Sequence, residues 1–199
     1  MRKSLFVVSV LAVLLLTASL ASAQSFSVFG GAGIGSISLT LDGSKYDNEL
    51  TPGLALQVGG LYQVTDQLGV GVMYDRVANN EKNSDLVHTL SGFAAVAHYN
   101  VADDDFGFAV FGGVGSYTYA VTDKEYSYKF NPGLGFVLGV QADYAFSEDI
   151  SLLAKASYRS ASSKGMTVTH KETDGSTTLD DAKASAGAWS VTAGIVYQF

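Results

Sequence analysis

The chain has no cysteine among its 199 residues. That excludes disulfides, thiol catalysis and cysteine-bound metal sites. Proline occurs only twice, leaving long stretches free to run as strands. Cations are scarce, with 12 Lys and Arg against 19 Asp and Glu, for a formal charge of −7. An acidic chain without a basic run excludes nucleic acid as an expected partner. His88, His98 and His170 show no close metal-ligand spacing. Asp103-Asp104-Asp105 lacks the glycine and bidentate glutamate of a calcium loop and is expected to be a solvated turn. Gly31-x-Gly33-x-Gly35 precedes no helix pattern, so phosphate cradling gives way to small residues in a tight sheet. No cofactor is expected.

The chain does carry 22 Gly, 11 Tyr and 11 Phe, a strand-rich composition. At the N-terminus, Arg2 and Lys3 precede an apolar run from Leu5 and a small-x-small site at Ala21-Ser22-Ala23. The run falls short of the ~20 residues that a membrane helix needs, so residues 1–23 are read as a cleaved export signal. The mature chain, 24–199, then forms one domain and carries a formal charge of −9 once Arg2 and Lys3 are lost.

At the other end, Trp189, Val191, Ala193, Ile195, Tyr197 and Phe199 share one face of a strand that runs to the last residue. The same period of two recurs upstream. Leu54, Leu56, Val58 and Tyr62 alternate with Ala55, Gln57 and Gly59. After a turn at Thr65–Gln67, Leu68, Val70, Val72 and Tyr74 alternate with Gly69, Gly71, Met73 and Asp75. Counting back from that turn sets Val58 opposite Tyr74 and Gln57 opposite Asp75, which keeps both faces intact. A first strand covers about residues 26–39. A fourth places Phe93, Ala95, Ala97 and Tyr99 outward, and a fifth Phe106, Phe108 and Val110. The sixth and seventh flank Ser147–Asp149, with Leu134 to Phe146 and then Ile150 to Tyr158 alternating outward. Loops are expected at Leu41–Thr51, Asn79–Asp85, Thr122–Asn131 and about Ser160–Ala186. The count is eight strands, of the length that crosses a bilayer when tilted.

A soluble barrel buries its apolar face and shows water the polar one. Here the apolar face is too large, and the opposite face too small and polar, to serve as a soluble core. The expected fold is therefore all-β: an eight-stranded antiparallel up-and-down transmembrane barrel. Tyr62, Tyr74, Tyr99, Tyr144, Tyr158, Tyr197 and Phe199 supply candidate aromatic girdles, and Tyr117 and Tyr119 extend the outer one. Gln57, Asp75, His98, Gln141, Asp143, Lys155, Arg159 and Gln198 are expected to face the lumen. Eight strands leave an interior that side chains can fill, so these residues form a polar plug with Asp143 and Lys155 paired. The alternative is a narrow lumen channel for ions or small solutes. The short turns are expected at the periplasmic end and the longer connections outside.

The hairpin Gly139–Leu152, with Tyr144 and Ser151-Leu152 about its turn, resembles one common in small outer-membrane barrels. That superfamily includes the OmpX and Ail adhesins, the OmpA membrane domain and the opacity-type surface proteins. The resemblance implies the bacterial outer membrane as location, with its lipid and lipopolysaccharide as surroundings. It implies Tyr197 and the terminal Phe199 as a signal for the barrel-insertion machinery. Ending at Phe199, the chain is expected to lack the peptidoglycan-binding domain of full-length OmpA relatives. Small barrels include lipid A deacylases and palmitoyltransferases. None of the three histidines sits in the His-x-Ser pattern of the deacylases, so no enzyme is expected. Function then falls to the outer loops, serving surface interaction, a host or surface ligand, or envelope integrity. Tyr126, Tyr128, Lys129 and Phe130 are the candidate contact residues, with Tyr46 and the 164–183 loop beside them.

Overall fold

A computed structural model describes residues 25–46, 49–102, 106–171 and 175–199. The proposed signal at 1–23 and the Asp103–Asp105 turn lie outside the described residues. Eight long strands follow the expected order: β1 (Phe26–Leu41), β2 (Gly53–Gln63), β3 (Leu68–Glu81), β4 (Val87–Ala102), β5 (Phe106–Thr122), β6 (Gly133–Ala145), β7 (Ile150–His170) and β8 (Ser176–Gln198). Each pairs antiparallel with the next, and β8 pairs back onto β1 from Gln198–Ser27 to Ala184–Leu41. Closure leaves the ring without a free edge. Val58 lies opposite Tyr74 and Gln57 opposite Asp75, as counted from the turn.

The outward face is apolar on every strand. Leu134 is 85% exposed, Phe93 67% and Ile34 58%, a surface that water would not tolerate and lipid does. Among the described residues no helix is long and apolar enough to cross a membrane; strands do the crossing. Glycine serves a specific purpose where β1 meets β8. A Cβ on Gly33 would lie 2.0 Å from the Val191 carbonyl oxygen, and one on Gly194 1.9 Å from that of Gly30. The tight coil of a narrow ring brings backbone that close.

Three expectations change. The polar stretches read as loops are partly strand, Ser160–Ala186 above all: β3 runs on to Glu81, β7 to His170, and β8 begins at Ser176. Above the lipid, alternation is no longer needed, so these extensions carry polar residues on both faces. Within Thr122–Asn131, Tyr126–Phe130 is a short strand held between Ala120–Thr122 of β5 and Met166–His170 of β7. That second pairing begins at Met166, just past Gly165, whose φ of +83° marks a bulge where the β7–β8 register shifts between Lys164 and Met166. Tyr117 and Tyr119 point inward and are fully buried, so they belong to no outer girdle.

The interior is also less polar than expected. Ile37, Leu39, Val77 and Leu90 gather towards the outer end. Phe29, Leu61, Met73, Phe111 and Leu153 gather towards the inner end, nearer the chain termini and short turns. A polar layer separates the two.

Candidate functional site

The polar layer is built by residues whose parity on each strand turns them inward. Arg159 of β7 is completely buried and donates from Nη1 to Asp75 Oδ1 of β3 at 2.7 Å. Its Nη2 donates to Ser157 Oγ at 2.7 Å and Ser190 Oγ at 2.5 Å. The Tyr117 hydroxyl donates to Asp75 Oδ2 at 3.3 Å. Gln57 Nε2 donates to Ser157 Oγ at 3.0 Å, and Thr192 Oγ1 to Gln57 Oε1 at 3.4 Å. This network joins β2, β3, β5, β7 and β8 across the lumen and neutralises its own central charge.

Below it, Lys155 Nζ lies over the Phe29 and Phe111 rings, 4.0 and 4.4 Å from their centroids. His98 stacks on Phe111 at 4.9 Å. Asp143 is only half-buried and accepts from Gln141 Nε2 at 2.7 Å. The expected Asp143–Lys155 pair does not form. Register puts Lys155 opposite Gln141 and Asp143 opposite Leu153, two residues apart along the sheet. Gln141 donates to one carboxylate oxygen, Oδ2, and leaves Oδ1 without a partner, while the ammonium takes the aromatic faces. The interior ion pair is Asp75–Arg159 instead. Gln198 is exposed at the rim that carries the termini, so it does not line the lumen.

At the outer end a second cluster forms that the spacing of residues does not announce. His88 Nδ1 and the Tyr119 hydroxyl lie 2.5 Å apart, and His88 Nε2 lies 3.3 Å from Glu81 Oε2. The Tyr46 hydroxyl donates to the same carboxylate oxygen at 2.9 Å. Strand parity carries the signal for Tyr119: with Phe106, Phe108 and Val110 outward, every odd position on β5 faces in.

The proposed contact segment divides. Lys129 is exposed, while Tyr126 and Tyr128 are half-buried, and Tyr126 meets His170 edge-on at 4.9 Å. Phe130 is buried against Tyr119, 5.7 Å between centroids, and offers nothing to a surface partner. The turn before this segment is capped by Asp123, whose carboxylate accepts from the Tyr126 and Glu125 amides. Those bonds hold its carboxyl below the usual carboxylate range. Tyr197 and Phe199 stack edge-on at 4.7 Å on the lipid face, and the Phe199 amide donates to the Phe26 carbonyl.

Among the described residues no three His, Cys, Asp or Glu converge to hold a metal. No curated protein matches the chain. Solved structures match its fold. Neisserial surface protein A aligns over 87% of this chain and 97% of its own at 14% identity, with a TM-score of 0.60. A major outer membrane protein from Thermus thermophilus aligns over 89% and 100% at 14% identity, with a TM-score of 0.63. OprG from Pseudomonas aeruginosa aligns over 89% and 96% at 17%, with a TM-score of 0.52. The family model for the outer membrane protein beta-barrel domain matches residues 8–199. Eight paired strands, an apolar outer face and a match spanning nearly the whole sequence place this chain in that family, as a barrel of the bacterial outer membrane.

Proposed function

We propose that this is a non-enzymatic, non-conducting barrel whose work is done at its outer rim, in surface interaction or envelope integrity. The observation that carries the reading is the Asp75–Arg159 network, which fills the lumen from wall to wall. A conducting path would have to break that buried pair. The outer rim is instead built out, by the extensions of β7 and β8 and by Tyr126–Phe130 packed against them. Lys129, with the half-buried Tyr126 and Tyr128, supplies its contact surface. The refolded mature protein is expected to leave a planar bilayer electrically silent. Steady openings in the wild type, altered in an Asp75→Ala/Arg159→Ala double variant, would instead establish the lumen as a channel.

Residues 1–23 serve export in this reading, and Tyr197 with Phe199 serves the insertion machinery. Protein recovered from outer membranes should begin at Gln24 and be strongly depleted when Phe199 is deleted. An uncleaved N-terminus or undiminished assembly would refute the corresponding assignment.

A further inference from the structure

The outer end of the lumen is an open cup of about 440 Å³. Its wall includes Leu39, Leu41, Tyr119, Phe130, Met166 and Ala182, drawn from five parts of the ring. The side of the barrel beside and below Ala182 is built of small residues. Ala182, Ala184 and Ala186 of β8, with Ala161 of β7, face into the barrel, while the far side carries Leu90 and Tyr119. The bulge at Gly165 returns Met166 to the inner face above them. Ile37, Val77 and Leu90 are buried in the core one step further in along their strands, and the Asp75–Arg159 network closes the lumen beneath.

Three polar members of the cup are already engaged, and Lys183, which also lines it, is exposed to the outer medium. His88 is held by Tyr119 and Glu81, Asp42 accepts from the Lys183 amide at 3.0 Å, and Asp123 caps its own turn. Among the described residues, no buried side-chain polar atom of this lining lacks a partner. A charged head group would therefore find no buried partner waiting for it. An uncharged apolar body would remove water from leucine, phenylalanine and methionine surface at no polar cost. The volume lies within the range of small-molecule sites.

We infer that this cup is a binding site for a small uncharged hydrophobe, aliphatic or aromatic, that enters from the outer medium. Because the polar network closes its base, the site is a receptacle and not a stage in a conduction path. That last point rests on the closed lumen proposed above, and conductance would undo it without touching the binding result. The recognition itself depends on the cup's shape and apolar wall alone.

The chain provides its own reporter and control. Met166 lines the cup, and Met73 is buried near the inner end, beyond the polar network. The protein, labelled with 13C at the methionine methyls and held in lipid nanodiscs, is titrated with naphthalene. The expected result is a saturable shift of the Met166 methyl with Met73 unmoved. Ala182→Trp and, separately, Val121→Trp, since Val121 also lines the cup, should fill it and weaken that response at least tenfold. Either variant suffices if the other fails to fold. A linear, unsaturable drift, unchanged in the filled variants, would mean that the probe only partitions into the bilayer, and would overturn the proposal. So would magnetisation transfer from lipid acyl protons to Met166 without response to naphthalene, because a lipid tail would then occupy the cup.

Discussion

Asp75→Ala is expected to destabilise the barrel by about 3–5 kcal/mol, the usual cost of leaving one member of a buried ion pair without its partner. Arg159 has no route to water, because its side chain is completely buried. Its Nε already lacks an acceptor, and the loss of Asp75 strips the guanidinium of its only carboxylate contact among the described residues. Ser157 and Ser190 remain, but hydroxyls supply no countercharge. Replacing both residues, Asp75→Ala with Arg159→Met, should cost less than the sum of the single changes. The buried charge is then gone, and apolar atoms fill much of its volume. Reversible urea unfolding in detergent micelles, followed by heat-modifiable gel mobility, measures both. A cost below about 1 kcal/mol for Asp75→Ala would mean that water solvates Arg159, and the lumen could not be called closed.

Val58→Arg should be nearly as damaging for an unrelated reason. Val58 is 54% exposed and lies midway between Leu54 and Tyr62 on the outward face of β2. A cation there meets hydrocarbon, at a cost of about 2–4 kcal/mol near the bilayer midplane. Ile195→Arg makes the control. Ile195 also faces outward, but it lies two residues from Tyr197 at the end of β8, where an arginine can reach the head groups. Its cost should fall to about 0–1 kcal/mol. Equal penalties at the two positions in refolding titrations into lipid vesicles would contradict the depth assigned to each strand.

Alternation makes the spanning parts of the strands readable. Along β2 and β3 a period of two names the lipid face, and the short turn at Thr65–Gln67 fixes which residues sit opposite. It cannot name contacts across the ring. Asp75 meets Arg159 because the sheet closes, and that meeting depends on the curvature of all eight strands together. Proximity in the hairpin pairs Lys155 with Asp143 on paper. Nothing in that hairpin tells that Phe29 and Phe111 arrive from elsewhere to receive the ammonium. Outside the lipid the periodic signal ends, so Ser160–Ala186 reads as loop although most of it is hydrogen-bonded strand. Tyr117 and Tyr119 show a different failure: placing an aromatic in the girdle because it lies near a strand end ignores its own parity.

The Asp75–Arg159 bond has a mechanical meaning as well. In a ring of eight, β3 and β7 are four strands apart, so the bond lies along a diameter. Hydrogen bonds between neighbouring strands set the circumference of a closed sheet but leave its cross-section free to flatten. A tie of fixed length between opposite walls removes that freedom at the waist. The outer cluster runs from Tyr46, tied to β1 through the Leu39 carbonyl, to Glu81 of β3, His88 of β4 and Tyr119 of β5, a chord shorter than that diameter. The barrel is thus tied along a full diameter at its middle and along a shorter chord at its mouth, so the waist holds its cross-section by opposing walls while the mouth is held from one side.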